Sequence, residues 1–155
     1  KLKAGYTIGD MTYKVCIDGF NMLDYFTGKS DESPRNYFFY VNDDSQLMAI
    51  RFWDWKAVFL EQRANQLQVW LEPFVKLRAP KLFNLRRDPF ERADVDSNTY
   101  YDWMLSKAYL IAGAQMILAA HIESMKEFPP RQAPGSFNLD DVMKTMDDAV
   151  SSGAH

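Results

Sequence analysis

The sequence predicts an α+β fold: a small four-stranded antiparallel sheet packed against a long helix, with a further amphipathic helix at the C-terminus. Three observations carry this. Residues 36–61 hold β-rich runs separated only by tight turns, and strands joined so closely are antiparallel neighbours. From Thr99 to about Lys126 no proline interrupts a mostly apolar run. Residues 138–150 repeat apolar side chains at helical spacing behind an asparagine.

TYKVCI, residues 12–17, has the β-branched and aromatic content of a strand, and Asp18-Gly19 turns the chain after it. NMLDYFTG, residues 21–28, reads as a short helix stopped by Gly28, because glycine takes the left-handed conformation that ends helices. KSDESPR, residues 29–35, is loop by composition. NYFFYV (36–41) is a strand, NDDSQ a turn of residues that hydrogen-bond their own backbone, and LMAIRFW (47–53) a second strand. Asp54 marks a tight connection to WKAVFLE (55–61). Here Trp55, Ala57 and Phe59 alternate with Lys56, Val58 and Leu60, so both faces are largely apolar and the strand is central.

Residues 63–80 give mixed signals: part loop, with room for one helical turn. KLFNL, residues 81–85, is the fourth strand, closed by Asp88-Pro89 as the first and second positions of a type I turn. DVDSN, residues 94–98, brings acidic side chains to the start of the long helix, with Ser97 or Asn98 as its N-cap. Gly113 inside that helix costs about 1 kcal/mol relative to alanine. The helix shows no clean polar stripe, so it needs cover on most sides. EFPPRQAPGS (127–136) is a proline-rich connector. In the last helix Asn138 caps, Leu139, Val142, Met143, Met146, Ala149 and Val150 share one face, and Phe137 can staple to Val142.

A chain of 155 residues forms one domain and can bury about 70% of its unfolded surface. Aromatic residues make up 15% of it, which supplies large buried area. The net charge of −3 argues against a general nucleic-acid binder, which needs a basic footprint. The one cysteine, Cys16, excludes an internal disulfide and reads as a small buried hydrophobe; it leaves the compartment open. The most apolar run, residues 108–120, is shorter than the about 20 residues that span a bilayer. The chain begins without methionine or an apolar targeting run, which predicts a piece of a longer protein.

Chemistry-bearing patterns are sparse. The two histidines are His121 and His155, and neither His-x-x-x-His nor Cys-x-x-Cys occurs, which argues against structural zinc. No nucleophile elbow and no phosphate-cradling glycine loop is present, and the glycine of GDM carries no signal. Asp43-Asp44 and Asp140-Asp141 read as turn and helix-start charges; Asp147-Asp148, at a helix C-terminus, has no such explanation. Arg78, Lys81, Arg86, Arg87 and Arg92 form a basic cluster. It is either a patch facing an anion or a set of local pairs of Arg86, Arg87 and Arg92 with Asp88, Glu91 and Asp94, and local pairing is the commoner arrangement. Trp53, Trp55, Trp70 and Trp103 are either an aromatic platform for a sugar or core packing, of which packing is the commoner use. No residue is assigned a catalytic or metal-binding role, and the substrate-binding positions are unknown.

KLFNLRRDPFERAD, residues 81–94, resembles a signature near the C-terminus of sulfatases: a strand ending Leu-(Tyr/Phe)-(Asp/Asn)-Leu, then x-x-Asp-Pro-x-Glu. RFWDWKAVFLEQ (51–62) is similar to the family's Arg-x-x-Asp-Trp-Lys strand pair, and IDGFNMLDYFTGKSDESPR (17–35) to the segment that follows its catalytic core. NTYYDWML and KEFPPRQAPGSFNLDDVM are similar to one bacterial arylsulfatase group. The motifs run in order along essentially the whole chain.

The resemblance implies that residues 1–155 are one C-terminal subdomain, non-catalytic, with the catalytic α/β domain upstream. The full-length enzyme would hydrolyse sulfate esters in the periplasm or outside the cell, using a formylglycine nucleophile and a calcium ion. Neither feature maps here: Cys16 is followed by Ile17-Asp18-Gly19 and not by x-Pro-x-Arg, and Ser33-Pro34-Arg35 lacks the spacing. The chain alone is expected to be inactive. Its partners would be the upstream domain and, for the whole enzyme, a sulfate ester, with no nucleic acid and no membrane span. Two alternatives stand beside this: a free-standing module that binds an anion or a sulfated glycan, and a self-association module built on the long helix.

Overall fold

A computed structural model describes residues 1–17, 19–129, 134–136 and 143. The first two strands, β1 (Tyr6–Ile8) and β2 (Met11–Tyr13), form a separate antiparallel hairpin. Gly9, at φ +61°, makes its two-residue turn with Asp10. This corrects the expected strand over residues 12–17. Every β1 and β2 residue is exposed, the ladder stops at Tyr13, and beyond it Val15 N–H donates to Leu2 O at 3.2 Å without residues 14–17 joining a strand. Cys16 is half-buried outside any strand. Helix α1 (Leu23–Phe26) ends as expected at Gly28, φ +72°.

The main sheet has the order β3–β4–β5–β6, from β3 (Tyr37–Val41), β4 (Leu47–Phe52), β5 (Trp55–Glu61) and β6 (Val75–Asn84), all antiparallel. The Asn42 carboxamide oxygen accepts the Asp44 and Gln46 N–H groups in the first turn. β5 is central, as its two apolar faces require. β6 begins six residues before the expected Lys81. Its first half reads poorly because it contains Pro80 and is irregularly paired: the register slips between Val58 and Leu60. Proline is tolerated there because β6 is an edge strand. Between β5 and β6, a 3-10 turn at Gln66–Trp70 is held by Gln62, whose side chain donates to Glu72 O at 2.8 Å.

One sheet face carries Ile50, Phe52, Ala57 and Leu82, all buried, and meets the helices. The expected long helix is two helices. α2 (Ala93–Asp96) is a single turn, then α3 (Tyr100–Ser106) and α4 (Tyr109–Glu127) meet at a 63° bend. No glycine or proline sits at the bend. Instead Ser106 Oγ donates to Trp103 O at 2.6 Å, and Lys107 and Ala108 make i→i−3 backbone bonds. Trp103 stacks on Trp55 at 5.9 Å, which holds α3 in place while α4 turns to lay Leu110, Ala114 and Ile117 on the core. Ser97 closes α2 and caps nothing, and Thr99, before α3, makes no side-chain cap bond. The final helix predicted from Asn138, with its acidic pairs, lies outside the described residues.

Tyr100 secures the outer edge of β6. Its hydroxyl accepts the Leu82 N–H at 3.0 Å and donates to the Leu82 carbonyl at 3.1 Å, replacing a missing neighbour strand. Burial pushes the phenol above its ordinary pKa, so it keeps the proton it donates. On the other face Asp88 and Pro89 make the expected turn, with Glu91 N–H donating to Asp88 O at 3.3 Å. The Asp88 carboxylate then accepts the N–H groups of Arg92 (3.0 Å) and Ala93 (2.8 Å), capping α2.

Two lysines clamp this loop to the sheet. Lys56 bridges Glu91 at 2.7 Å, with the side chains 15% and 31% exposed. Lys81 bridges Glu61 at 2.6 Å and Asp94 at 2.7 Å. Burial pushes Glu61 up, but hydrogen bonds and charge from Lys81 and Arg63 outweigh it and hold the carboxyl below its ordinary range. Burial pushes Lys81 down, and Asp94 and Glu61 outweigh that and raise it.

Three outcomes are expected. Tyr100→Phe leaves both Leu82 backbone groups without a partner and costs about 1–3 kcal/mol by urea denaturation; a loss within error of zero would show that water replaces the phenol. Gly113→Ala stabilises by about 0.5–1 kcal/mol, since an added Cβ meets nothing within 4 Å. Lys81→Gln costs about 1–3 kcal/mol at neutral pH. Glu61, lowered on folding, contributes stability above its ordinary pKa of 4.5 that disappears as pH falls through its folded value. Lys81, raised on folding, contributes below its ordinary 10.5 and loses this as pH rises through its folded value. The gap between wild type and Lys81→Gln, read as urea midpoints, therefore narrows on acidification below about 4.5 and is constant across neutral pH. A gap unchanged down to pH 3 would contradict the pairing.

Candidate functional site

The basic cluster is the first place to look for chemistry. Most of it is neutralised, though not by the expected partners. Lys81 is held between Glu61 and Asp94, and Arg92 pairs with Asp96 one helical turn on. Arg86 lies 3.8 Å from Asp54, and Glu91 goes to Lys56. Sequence neighbours were the wrong partners because the loop folds flat on the sheet, so its carboxylates meet lysines from β5 and β6. Arg78 and Arg87 have no carboxylate within 4 Å among the described residues.

The tryptophans divide. Trp55 and Trp103 stack against the core, as packing predicts. Trp53 and Trp70 are 65% and 83% exposed, which corrects that reading for these two. Trp70 sits in the 3-10 turn, and Trp53 occupies the first position of the β4–β5 turn.

Trp53 forms part of an open groove at the β3 side of the sheet, with Arg35, Phe38, Tyr40 and Arg51. The strand register places Phe38 directly opposite Arg51, and Arg51 opposite Lys56, so all three stand on one face. Phe38 and Tyr40 make an edge-to-face pair at 4.9 Å. The Arg35 guanidinium lies over Phe38 at 4.8 Å, and Lys56 over Tyr40 at 4.6 Å. Arg51 Nε donates to Trp53 O at 3.3 Å. Glu32 and Asp54 also line it, Asp54 being the carboxylate 3.8 Å from Arg86.

Neither Arg35 nor Arg51 stood out in the sequence. Arg51 is one residue of a strand, and Arg35 closes a loop. The one available signal was Trp53-Asp54, a two-residue turn with an unusual bulky residue. Asp44, read as a turn residue, is one, and it also accepts hydrogen bonds from Ser136 N and Oγ, which lower its pKa.

Among the described residues no three His, Cys, Asp or Glu side chains are placed to hold a metal ion. The nearby carboxylates of Asp88, Glu91, Asp94 and Glu61 are already engaged by backbone N–H groups or ammonium ions. These residues do not fit a calcium site. Among the described residues no single helix is long and apolar enough to cross a membrane.

Comparison with curated proteins returned no match. Among solved structures the chain is similar to the PsFucS1 sulfatase from Pseudoalteromonas sp., at 24% identity over 63% of this chain, with a TM-score of 0.44. The matched region is 19% of that sulfatase's length. The family model for the C-terminal region of aryl-sulfatase matches residues 33–148 of the 155, and the chain belongs to that family.

Proposed function

We propose that this chain is the non-catalytic C-terminal domain of an arylsulfatase, bracing an upstream catalytic domain that hydrolyses sulfate esters. One observation carries the reading: the residues of its family motifs are engaged in holding the domain together. Lys56 of the Arg-x-x-Asp-Trp-Lys motif pairs with Glu91 of the Asp-Pro-x-Glu motif. Asp88 caps α2. What the two motifs make by meeting is a folded loop on a sheet.

The exposed apolar residues support a bracing role. α4 turns Leu110, Ala114 and Ile117 to the core and leaves Tyr109, Met116 and Ile122 in water. Leu67, Trp70 and Leu71 are more than three-quarters exposed on the β5–β6 connection. In this reading the formylglycine nucleophile and the calcium ion belong to the upstream domain, and the enzyme works in the periplasm or outside the cell.

Expressing the natural longer chain and residues 1–155 separately tests this. The longer chain should release the phenol from an aryl sulfate, and the 155-residue chain should release none. Turnover by the short chain alone would overturn the non-catalytic assignment. A longer chain inert toward aryl and sugar sulfates alike would overturn the sulfatase reading.

A further inference from the structure

The β1–β2 hairpin is amphipathic, and its apolar side is uncovered. The register puts Tyr6 opposite Tyr13 and Ile8 opposite Met11 on one face. The other face carries Thr7 opposite Thr12, with their hydroxyls 2.9 Å apart. All four residues of the apolar face are exposed, Ile8 and Met11 to 61%. Among the described residues none before Ala49 is buried, so the hairpin adds nothing to the core. A two-stranded hairpin is marginal in water unless it packs on another surface. Its own domain holds it weakly. Lys14, just past β2, lies 3.2 Å from Glu127 and over the Phe128 ring at the end of α4. Both charged side chains are more than half exposed, and a surface pair of that kind stabilises little.

Other exposed apolar residues differ in what supports them. Tyr109, Met116 and Ile122 stand on a helix whose opposite side is in the core, so α4 is ordered whether or not they are covered. Leu67, Trp70 and Leu71 stand on a turn that Gln62 already holds. The hairpin has no such support, and its order calls for a second surface. Its place in the chain identifies that surface. Residues 33–148 match the C-terminal region of aryl-sulfatase, and the hairpin precedes them. A C-terminal region follows another region of the same polypeptide, and the hairpin is on that side of the match. A covalently joined neighbour is also present at high local concentration, so a small apolar face suffices to hold it.

We propose that the Tyr6–Ile8–Met11–Tyr13 face is the docking surface on which the upstream domain of the same polypeptide sits, through an apolar patch of its own. The inference rests on the reading that such a domain lies upstream. The hairpin is then fixed by that domain rather than by the one behind it. Lys14 passes its position on, because its contacts with Glu127 and Phe128 join the hairpin to the end of α4.

The test is amide hydrogen exchange of peptides covering residues 6–13, in the natural longer chain and in the 155-residue chain. Exchange should be at least about tenfold slower in the longer chain. The double variant Ile8→Ser with Met11→Ser, made in the longer chain, should abolish that protection and lower the melting temperature. The same double variant should leave the urea midpoint of the 155-residue chain unchanged, because there the face touches nothing. Phe90→Ser, at an exposed apolar residue outside the hairpin, should leave the exchange of residues 6–13 as it was. The variant comparison is made within the longer chain and does not depend on the short one. Equal exchange in the two chains, or protection that survives the double variant, would overturn the proposal. So would protection in the 155-residue chain that rises with its concentration, which would assign the face to a second copy. Turnover of an aryl sulfate is read separately. A longer chain that protects residues 6–13 but hydrolyses no sulfate ester keeps the docking face and removes the sulfatase reading. An active longer chain with the hairpin unprotected does the reverse.

Discussion

The outer edge of the sheet depends on one phenol. Among the described residues β6 has a neighbour only on its β5 side, and Leu82 turns its N–H and carbonyl the other way. Left bare, such an edge invites another strand; left buried, it would hold two unpartnered polar groups. Tyr100 takes both, and its position then constrains the two helices. α3 must run so that its first residue reaches Leu82. Trp103, three residues on, consequently faces Trp55, and the stack limits how far the same helix can continue straight. The chain bends by 63°, and α4 returns over the buried face. The hydrogen bond, the stack and the bend are one arrangement.

The other face is organised by charge. A loop carrying two arginines, an aspartate, a proline and a glutamate is a poor cover for a sheet on hydrophobic grounds alone. It stays because Asp88 turns its backbone inward on itself and Lys56 and Lys81 anchor its carboxylates from beneath. These pairs are shielded enough for attraction to exceed that of surface pairs, and exposed enough to avoid the full desolvation penalty of deep burial. They also determine position. A loop held at two points cannot slide along the sheet, and Ala93 is thereby packed against the core.

The sheet was legible in the sequence because its turns are short and its residues local. Asn42 to Gln46 specifies its own turn, and the alternation in β5 identifies a strand covered on both sides. The elements that were not legible depend on distant partners. Residues 14–17 have strand composition but, among the described residues, only one backbone bond, from Val15 N–H to Leu2 O, and the first half of β6 has a partner strand but an irregular register around a proline. The helix bend is written in no glycine or proline; it arises from Ser106 and from where Trp103 must go. The ion pairs obey the same rule. Spacing along the chain suggested Arg86, Arg87 and Arg92 for Asp88, Glu91 and Asp94, whereas the fold brings lysines from other strands. The groove escaped because its members, Arg35, Phe38, Arg51 and Trp53, come from a loop, two strands and a turn, and each looks ordinary alone.

One cross-strand row shows how burial decides which charges are paired. Phe38, Arg51, Lys56 and Phe83 stand directly opposite one another across the four strands. At the β6 end Phe83 is buried, and Lys56 beside it is answered by Glu91. At the β3 end Phe38 is exposed under Arg35, and among the described residues Arg51 meets a backbone carbonyl and no carboxylate. Folding constrains the two ends differently. A cation that is mostly buried must have a counter-charge, because desolvation otherwise outweighs any packing gain, so Lys56 could not be left unpaired. An exposed guanidinium remains hydrated at little cost to stability, so Arg51 could be. The same row therefore tolerates a charge without a counter-charge only where solvent can reach it.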